Sequence, residues 1–312
     1  MILSIFLLSS CSKTNLNTSL LDSATAKQVS QTEFPYFPAD NRISDFSSNK
    51  PAFKLLEIGN NLSGITWDPY SKQYLAIQNN SAIIYRYDHN FNFLGKVKKV
   101  GKIHNDTEGI SYFDQSSLLI ATEANVAHKI KLNLRKDGNG YFNSVVSFRL
   151  SNRPLVKNKG LEAITFRPSN SQRDAEAFAA QEGSGRSEKA QMKVFSFNPM
   201  VESSMLGNQF GQSDATLKLL EPFSAEQKLS HEISDISGMT FDPTGETLII
   251  LSQESKKALQ VVPETGEILS ILNLRGLPVY EGVTIGPLGE LVFVSERNWV
   301  QIYTKNENSS KD

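Results

Sequence analysis

SGITWDP at residues 63–69 decides the fold, because the phrase returns as EGISYFD at 108–114, EAITFRP at 162–168, SGMTFDP at 237–243 and EGVTIGP at 281–287. Each copy carries a small residue, then alternating side chains, then a Pro or Asp turn signal, which is the pattern of a strand running into a tight turn. A second apolar run follows every copy: QYLAIQN, SLLIATE, AFAAQE, TLIILSQE and ELVFVSE. A third follows that: AIIYRYD, AHKIKLNL, KVFSFNP, ALQVVP and WVQIYTK. Four copies add a fourth run, FLGKVKKV, VVSFRL, TLKLLEP and EILSILNL. Four strands per repeat make a propeller blade, so the expected fold is all-β, a five-bladed β-propeller of four-stranded blades over residues 51–305.

The fifth copy runs out of chain after Tyr303, and FKLLEIG at 53–59 supplies its outer strand, closing the ring and covering an edge that would otherwise stand open. Gly64, Gly109, Ala163, Gly238 and Gly282 occupy one equivalent position, where inner strands crowd together near the axis and backbones must approach closely. Trp67, Tyr112, Phe166 and Phe241 read as packing between blades, and Asp68, Asp114 and Asp242 as turn starters. The third repeat is longer than the others, its extra residues falling in polar stretches at 170–176, 183–191 and 201–214 that read as surface loops.

The acidic residues repeat with the same register. Ser63, Glu108, Glu162, Ser237 and Glu281 stand just before the small residue; Asn61, Asp106 and Asp235 lie two positions earlier, on the same face of the strand. Asn79, Glu123, Glu182, Glu254 and Glu296 close the second strand. Antiparallel pairing places the start of the first strand beside the finish of the second, so ring closure gathers both sets around one mouth of the channel. Carboxylates at such density repel one another unless protonated, paired, hydrated or bound to cations. Hard oxygen ligands suit Ca²⁺, so a calcium site is expected on the axis, with Glu108, Glu162 and Glu281 innermost, Asp106 and Asp235 next, and the second-strand residues in an outer shell with Ser63, Ser237 and Asn79. The competing structural use of these side chains is to cap backbone amides or to pair with Lys129, Lys159 and Arg297.

Composition excludes several alternatives. Lys and Arg total 32 against 33 Asp and Glu, a formal net charge of −1 that gives nucleic acid no attractive field. One Cys and four His supply neither a disulfide nor a Cys/His zinc cluster. No G-x-S-x-G elbow is present, His104, His128 and His231 fall outside the repeated inner positions, and Gly183-Ser184-Gly185 lacks the helix and lysine of a phosphate loop.

The apolar run at 1–8 leads into Leu8-Ser9-Ser10-Cys11, which looks like a bacterial lipobox. Residues 1–11 then form a lipoprotein signal peptide, Cys11 becomes the acylated first residue, and the polar stretch 12–50 is a flexible tether. The run lacks the basic flank of a signal peptide, so the true start is expected several residues upstream. It is too short to span a bilayer, and anchoring is expected through lipid on the periplasmic side, with the outer membrane as destination where the host has one. Residues 306–312 read as a disordered tail.

NLSGITWDP, NDTEGISYF with ATEA, NKGLEAITF with AAQE, SDISGMTFDP with IILSQES, and YEGVTIGPLGELVFVSERN resemble the SdiA-regulated family of bacterial proteins across residues 53–303. That resemblance implies a five-bladed propeller attached to the bacterial envelope, with a calcium ion and no settled activity. More distantly the chain is similar to phytase-like and esterase-like propellers. Ala163, where glycine is usual, and the enlarged third blade depart from the pattern. The leading expectation is a non-enzymatic lipoprotein that binds calcium and, on the same face, a small ligand or envelope partner. The alternative is a calcium-assisted hydrolase of phosphoesters, esters or lactones, with Glu108, Glu162 or Glu281 as general base.

Overall fold

The computed structural model describes residues 41–101, 103, 105–150, 160–183, 191–200 and 219–306. Two short strands, β1 (Phe46–Ser47) and β2 (Phe53–Lys54), precede the repeats. The first repeat forms β3 (Leu62–Asp68), β4 (Gln73–Gln78), β5 (Ile83–Tyr87) and β6 (Phe93–Lys99). The second forms β7 (Thr107–Asp114), β8 (Ser117–Thr122), β9 (Val126–Leu134) and β10 (Gly140–Arg149). The third contributes β11 (Leu161–Arg167), β12 (Glu176–Gln181) and β13 (Lys193–Phe197), and the fourth β14 (Gly238–Asp242), β15 (Thr247–Ser252), β16 (Lys257–Val261) and β17 (Ile268–Asn273). The last contributes β18 (Gly282–Ile285), β19 (Leu291–Ser295) and β20 (Trp299–Lys305). Within every repeat consecutive strands pair antiparallel.

The sheets stand around an axis. The innermost strands β3, β7, β11, β14 and β18 lie side by side in that order, and β18 returns to β3. Hydrophobic clusters fill the wedges between successive sheets: Tyr85 and Trp67 with Val292 and Val294, Ile84 with Ile120, Phe113 with Phe195, Phe178 with Ile250, and Leu251 with Phe293. Both faces of the second strands β8, β15 and β19 are therefore buried, which is why their apolar runs are nearly continuous where a half-exposed strand would alternate.

The small residues at the axis have the role expected of them. A Cβ on Gly64 would lie 2.6 Å from the Glu108 carbonyl oxygen, and one on Gly282 would lie 3.0 Å from the Gly64 Cα. No side chain fits there, and the axial void is only about 10 Å³. The repeated hydroxyl three positions after the Ser or Glu has a role that spacing did not reveal. The Thr284 hydroxyl accepts from Trp67 N–H (3.0 Å), Thr66 from Tyr112 N–H (3.3 Å) and Thr165 from Phe241 N–H (2.9 Å). These bonds satisfy buried donors across the seam between blades, where no ladder exists to satisfy them. The aromatics on the same strands pack as expected, Trp67 edge-on to Tyr74 at 4.8 Å and Tyr112 edge-on to Phe166 at 6.1 Å.

Three features differ from the sequence expectation. The closing strand is not continuous over 53–59: β1 and β2 pair separately with β20, through Phe46↔Lys305 and Phe53↔Val300. Pro51 between them has no N–H to give a ladder, and beyond β2 Leu55 and Ile58 leave the strand to enter the core. The end of the stretch expected to be a tether is packed, since Ile43 and Phe46 are buried between the fourth and fifth blades. Its backbone is held by side chains, Ser44 N–H donating to Ser270 Oγ at 3.0 Å and Gln260 Nε2 to the Asn41 carbonyl at 3.2 Å, so it carries no strand periodicity. Finally, β6 and β10 pair in parallel and fuse the first two blades into one eight-stranded sheet. Gly95 makes that approach possible, since a Cβ there would meet the Gly138 carbonyl at 2.4 Å. In the third blade the expected outer strand is represented by Leu220 bridged to Ser196; residues 201–218, 151–159 and 184–190, with Lys159 and His104, lie outside the described residues, as do 1–40 with Cys11 and the tail beyond 306.

Candidate functional site

Each inner strand begins at the same end of the ring, and there Glu162 and Glu281 line the axial void together with Gly64, Gly109 and Gly238. Glu108 is buried at the head of β7, its carbonyl against Gly64. Its Oε2 accepts from the Ser63 hydroxyl of the preceding blade, and its Oε1 from Asn79 Nδ2 at 2.5 Å. Ser63 and Asn79, two first-repeat positions without a carboxylate, thus serve the carboxylate next door. Glu123 follows β8 and accepts from Gly160 N–H at 2.9 Å, tying the second blade to the third. Oxygens of Glu108, Glu123 and Glu162 all lie within 4.8 Å of one another.

So close a set of acids cannot all ionise in a partly dry site. Burial is the main force on Glu162, with Glu108, Glu123 and Glu182 adding like charge, and its pKa is pushed up to about 11. Burial likewise raises Glu108 to about 8, against the Ser63 bond that pulls it down, with Asp106, Glu123 and Glu182 repelling. Glu281 rises to about 9 through burial and the fields of Glu108, Glu296, Asp235 and Glu182. Glu281 therefore belongs to the same electrostatic cluster, although the tight oxygen triad takes Glu123 in its place.

The other expected members have different partners. Asp235 is buried and caps the turn after β15, accepting from the Ser252 hydroxyl and from Gln253 and Glu254 N–H at 3.2 Å. Ser237 donates to the Tyr280 carbonyl at 2.8 Å. Glu254 and Glu296 are exposed, and Glu254 accepts from the Ser234 hydroxyl at 3.0 Å. Glu182 and Asp106 are half-buried beside Glu108 and act on it through charge. Lys129 lies away from this mouth, 3.7 Å from Asp114 and over the Phe113 ring. A cluster that the repeats gave no sign of surrounds the buried Arg167, which donates to the exposed Glu264 at 2.6 Å and to Glu176 and stacks near Phe178 and Phe241. It sits at the far end of β11, where the motif varies between copies.

The donor set of the mouth is all carboxylate oxygen. Ca²⁺ holds oxygens at 2.3–2.6 Å, so ligands on opposite sides of one ion stand up to about 5 Å apart, a span that the 4.8 Å triad fits. Neither thiol nor imidazole is among the clustered groups, which disfavours softer metals.

A family model described as SdiA-regulated matches residues 43–304. Among solved structures the chain is similar to a glutaminyl cyclase of Myxococcus xanthus, at 9% identity over 83% of this chain and 95% of that one, with a TM-score of 0.47. It is similar also to a luciferin-regenerating enzyme, at 13% identity, 81% and 94% coverage and a TM-score of 0.43. A third is the Cps50 (Swd1) β-propeller domain of Myceliophteria thermophila, at 10% identity, 84% and 70% coverage and a TM-score of 0.42.

Proposed function

This chain belongs to the SdiA-regulated family, and from that premise we propose that it is an envelope-anchored lipoprotein that holds a calcium ion in its acid-lined mouth and recognises a small ligand or envelope partner on the same face. The observation that carries the reading is the triad of Glu108, Glu123 and Glu162 oxygens, gathered from two blades, with burial opposing the ionisation of Glu108 and Glu162. Such a cluster has two stable states at neutral pH, one holding protons and one holding a hard cation. Glu108, Glu123 and Glu162 would hold the ion, with Glu182 and Glu281 lending charge. Bound calcium would cancel the repulsion among them and offer open positions to anionic oxygens. Ser63 and Asn79 orient Glu108 through its two oxygens, and Gly160 N–H orients Glu123. The Leu8-Ser9-Ser10-Cys11 sequence supports the lipid anchor.

The deciding experiment is thermal denaturation of the chelated protein during titration with calcium and, separately, magnesium. A saturable rise in Tm with calcium, weaker with magnesium, is expected. A Tm indifferent to calcium would remove the metal from this reading. Replacement of Cys11 by Ser is expected to move the protein out of the membrane fraction, and its retention there would remove the anchor.

A further inference from the structure

The opposite end of the ring carries a cavity with a different chemistry. Where the fifth blade meets the first, a space of about 740 Å³ opens between the turns after β3, β5 and β18 and the end of β20. Its size lies within the ~300–1,000 Å³ of small-molecule sites. Trp67, Phe53, Phe91 and Ile302 form the apolar wall, and Leu288, 90% exposed, stands at its lip. Cationic side chains ring the opening: Lys50 and Lys72, both exposed, with the half-buried Lys305, whose ammonium also donates to Asn41 Oδ1. The one carboxylate in the lining, Glu290, is engaged elsewhere, accepting from the Tyr74 hydroxyl at 2.9 Å and from Leu288 N–H at 2.8 Å.

The backbone supports a built wall. Phe91 adopts φ +63°, a left-handed conformation costly to a bulky side chain, in a turn that Asp88 holds by accepting from Asn90 and Asn92 N–H at 2.8 and 2.9 Å. That strained residue is fixed with its ring stacked on Tyr74 at 4.4 Å and edge-on to Phe53 at 5.2 Å. Phe53 and Phe91 face the cavity, and the buried Tyr74 backs them.

We propose that this cavity binds an amphipathic carboxylate, an apolar chain or ring system lying against Trp67, Phe53 and Phe91 with its anionic head held by Lys50, Lys72 and Lys305. The apolar body accounts for the wall and the lip; the anion accounts for three lysines around an opening whose single acid is already bonded. The site is separate from the acid-lined mouth and does not depend on calcium.

Trp67 makes the cavity self-reporting, because the only other tryptophan, Trp299, lies under the Lys54 ammonium and does not line it. The test titrates the full-length chain with decanoate, with decyltrimethylammonium as the cation of like chain length, and reads tryptophan fluorescence and titration heat. Saturable binding of decanoate, at least tenfold tighter than of the cation, is expected. Lys50→Glu with Lys72→Glu should weaken it at least tenfold at unchanged Tm. Should that variant fold poorly, Lys50→Gln with Lys72→Gln is read the same way. Absence of saturable binding, equal binding of the cation, or indifference to the lysine changes would each overturn the proposal. So would adhesion to phosphatidylglycerol vesicles without binding of free decanoate, which would mark a membrane-facing surface.

Discussion

The two ends of the propeller use carboxylates in opposite ways. At one end Glu108, Glu123 and Glu162 face each other, and their main partners besides one another are a few hydroxyl, amide and N–H groups. At the other end Asp68, Asp114 and Asp242 each accept from backbone N–H groups of their own turn, Tyr70 at 3.0 Å, Ser116 at 2.9 Å and Thr244 at 2.9 Å. Both sets draw on acids that recur between blades, and repetition alone does not separate them. Position does: a residue at the finish of the first strand enters a tight hairpin with free N–H donors close by, whereas one at its start meets its counterparts across the axis. A recurring acid is thus a cap where the chain turns and a charge cluster where the ring converges.

The largest expected effect separates these roles. Glu108→Gln with Glu162→Gln should lower calcium affinity by at least about a hundredfold, equivalent to ~2.7 kcal/mol, as read by calorimetric titration. Asp68→Asn with Asp242→Asn should leave that affinity unchanged, and a loss there would erase the distinction between the ends.

The pH dependence of stability should divide the same way. Folded-state pKa values of about 8, 11 and 9 for Glu108, Glu162 and Glu281 lie above the ordinary 4.5, so their stabilisation is complete below that value and is lost as pH rises through the raised ones. The Tm of chelated protein should therefore fall as pH rises from acid to alkaline, and saturating calcium should flatten the fall. Asp242, raised to about 7 by burial, has the same sign, but calcium should not alter its share; Asp242→Asn should remove only the part of the decline below neutral pH. A Tm that climbs with pH in the absence of metal would contradict both assignments.

Between the ends, Thr284→Val leaves the buried Trp67 N–H without its acceptor and should cost about 1–3 kcal/mol in denaturant unfolding, with calcium affinity intact. The smallest effect is expected at Lys129→Ala, whose surface pair with Asp114 should contribute no more than about 1 kcal/mol.

Much of this was legible without coordinates. The repeated phrase marks the inner strand because a strand buried on both faces and crowded at the axis tolerates only small residues there, and the five copies have no freedom to vary independently. Glu108, Glu162 and Glu281 were legible as one group for the same reason. Glu123 was visible only as an outer residue, since its entry into the triad depends on how far the second blade leans toward Gly160. The strap at 41–47 was missed because side chains satisfy the backbone of Asn41, Ile43 and Ser44, and its ladder with β20 is only two residues long. The aromatic cavity was invisible because its walls come from a tether end, three turns and the last strand.

The sequence by itself determined the ring and the mouth toward which its acids point, because repetition and strand periodicity are local and survive translation into any blade. Tertiary structure alone decided which acids touch, which are caps, and where the closing seam leaves a pocket. Those outcomes depend on distances of a few ångströms between segments far apart in the chain, and no spacing along the chain encodes them.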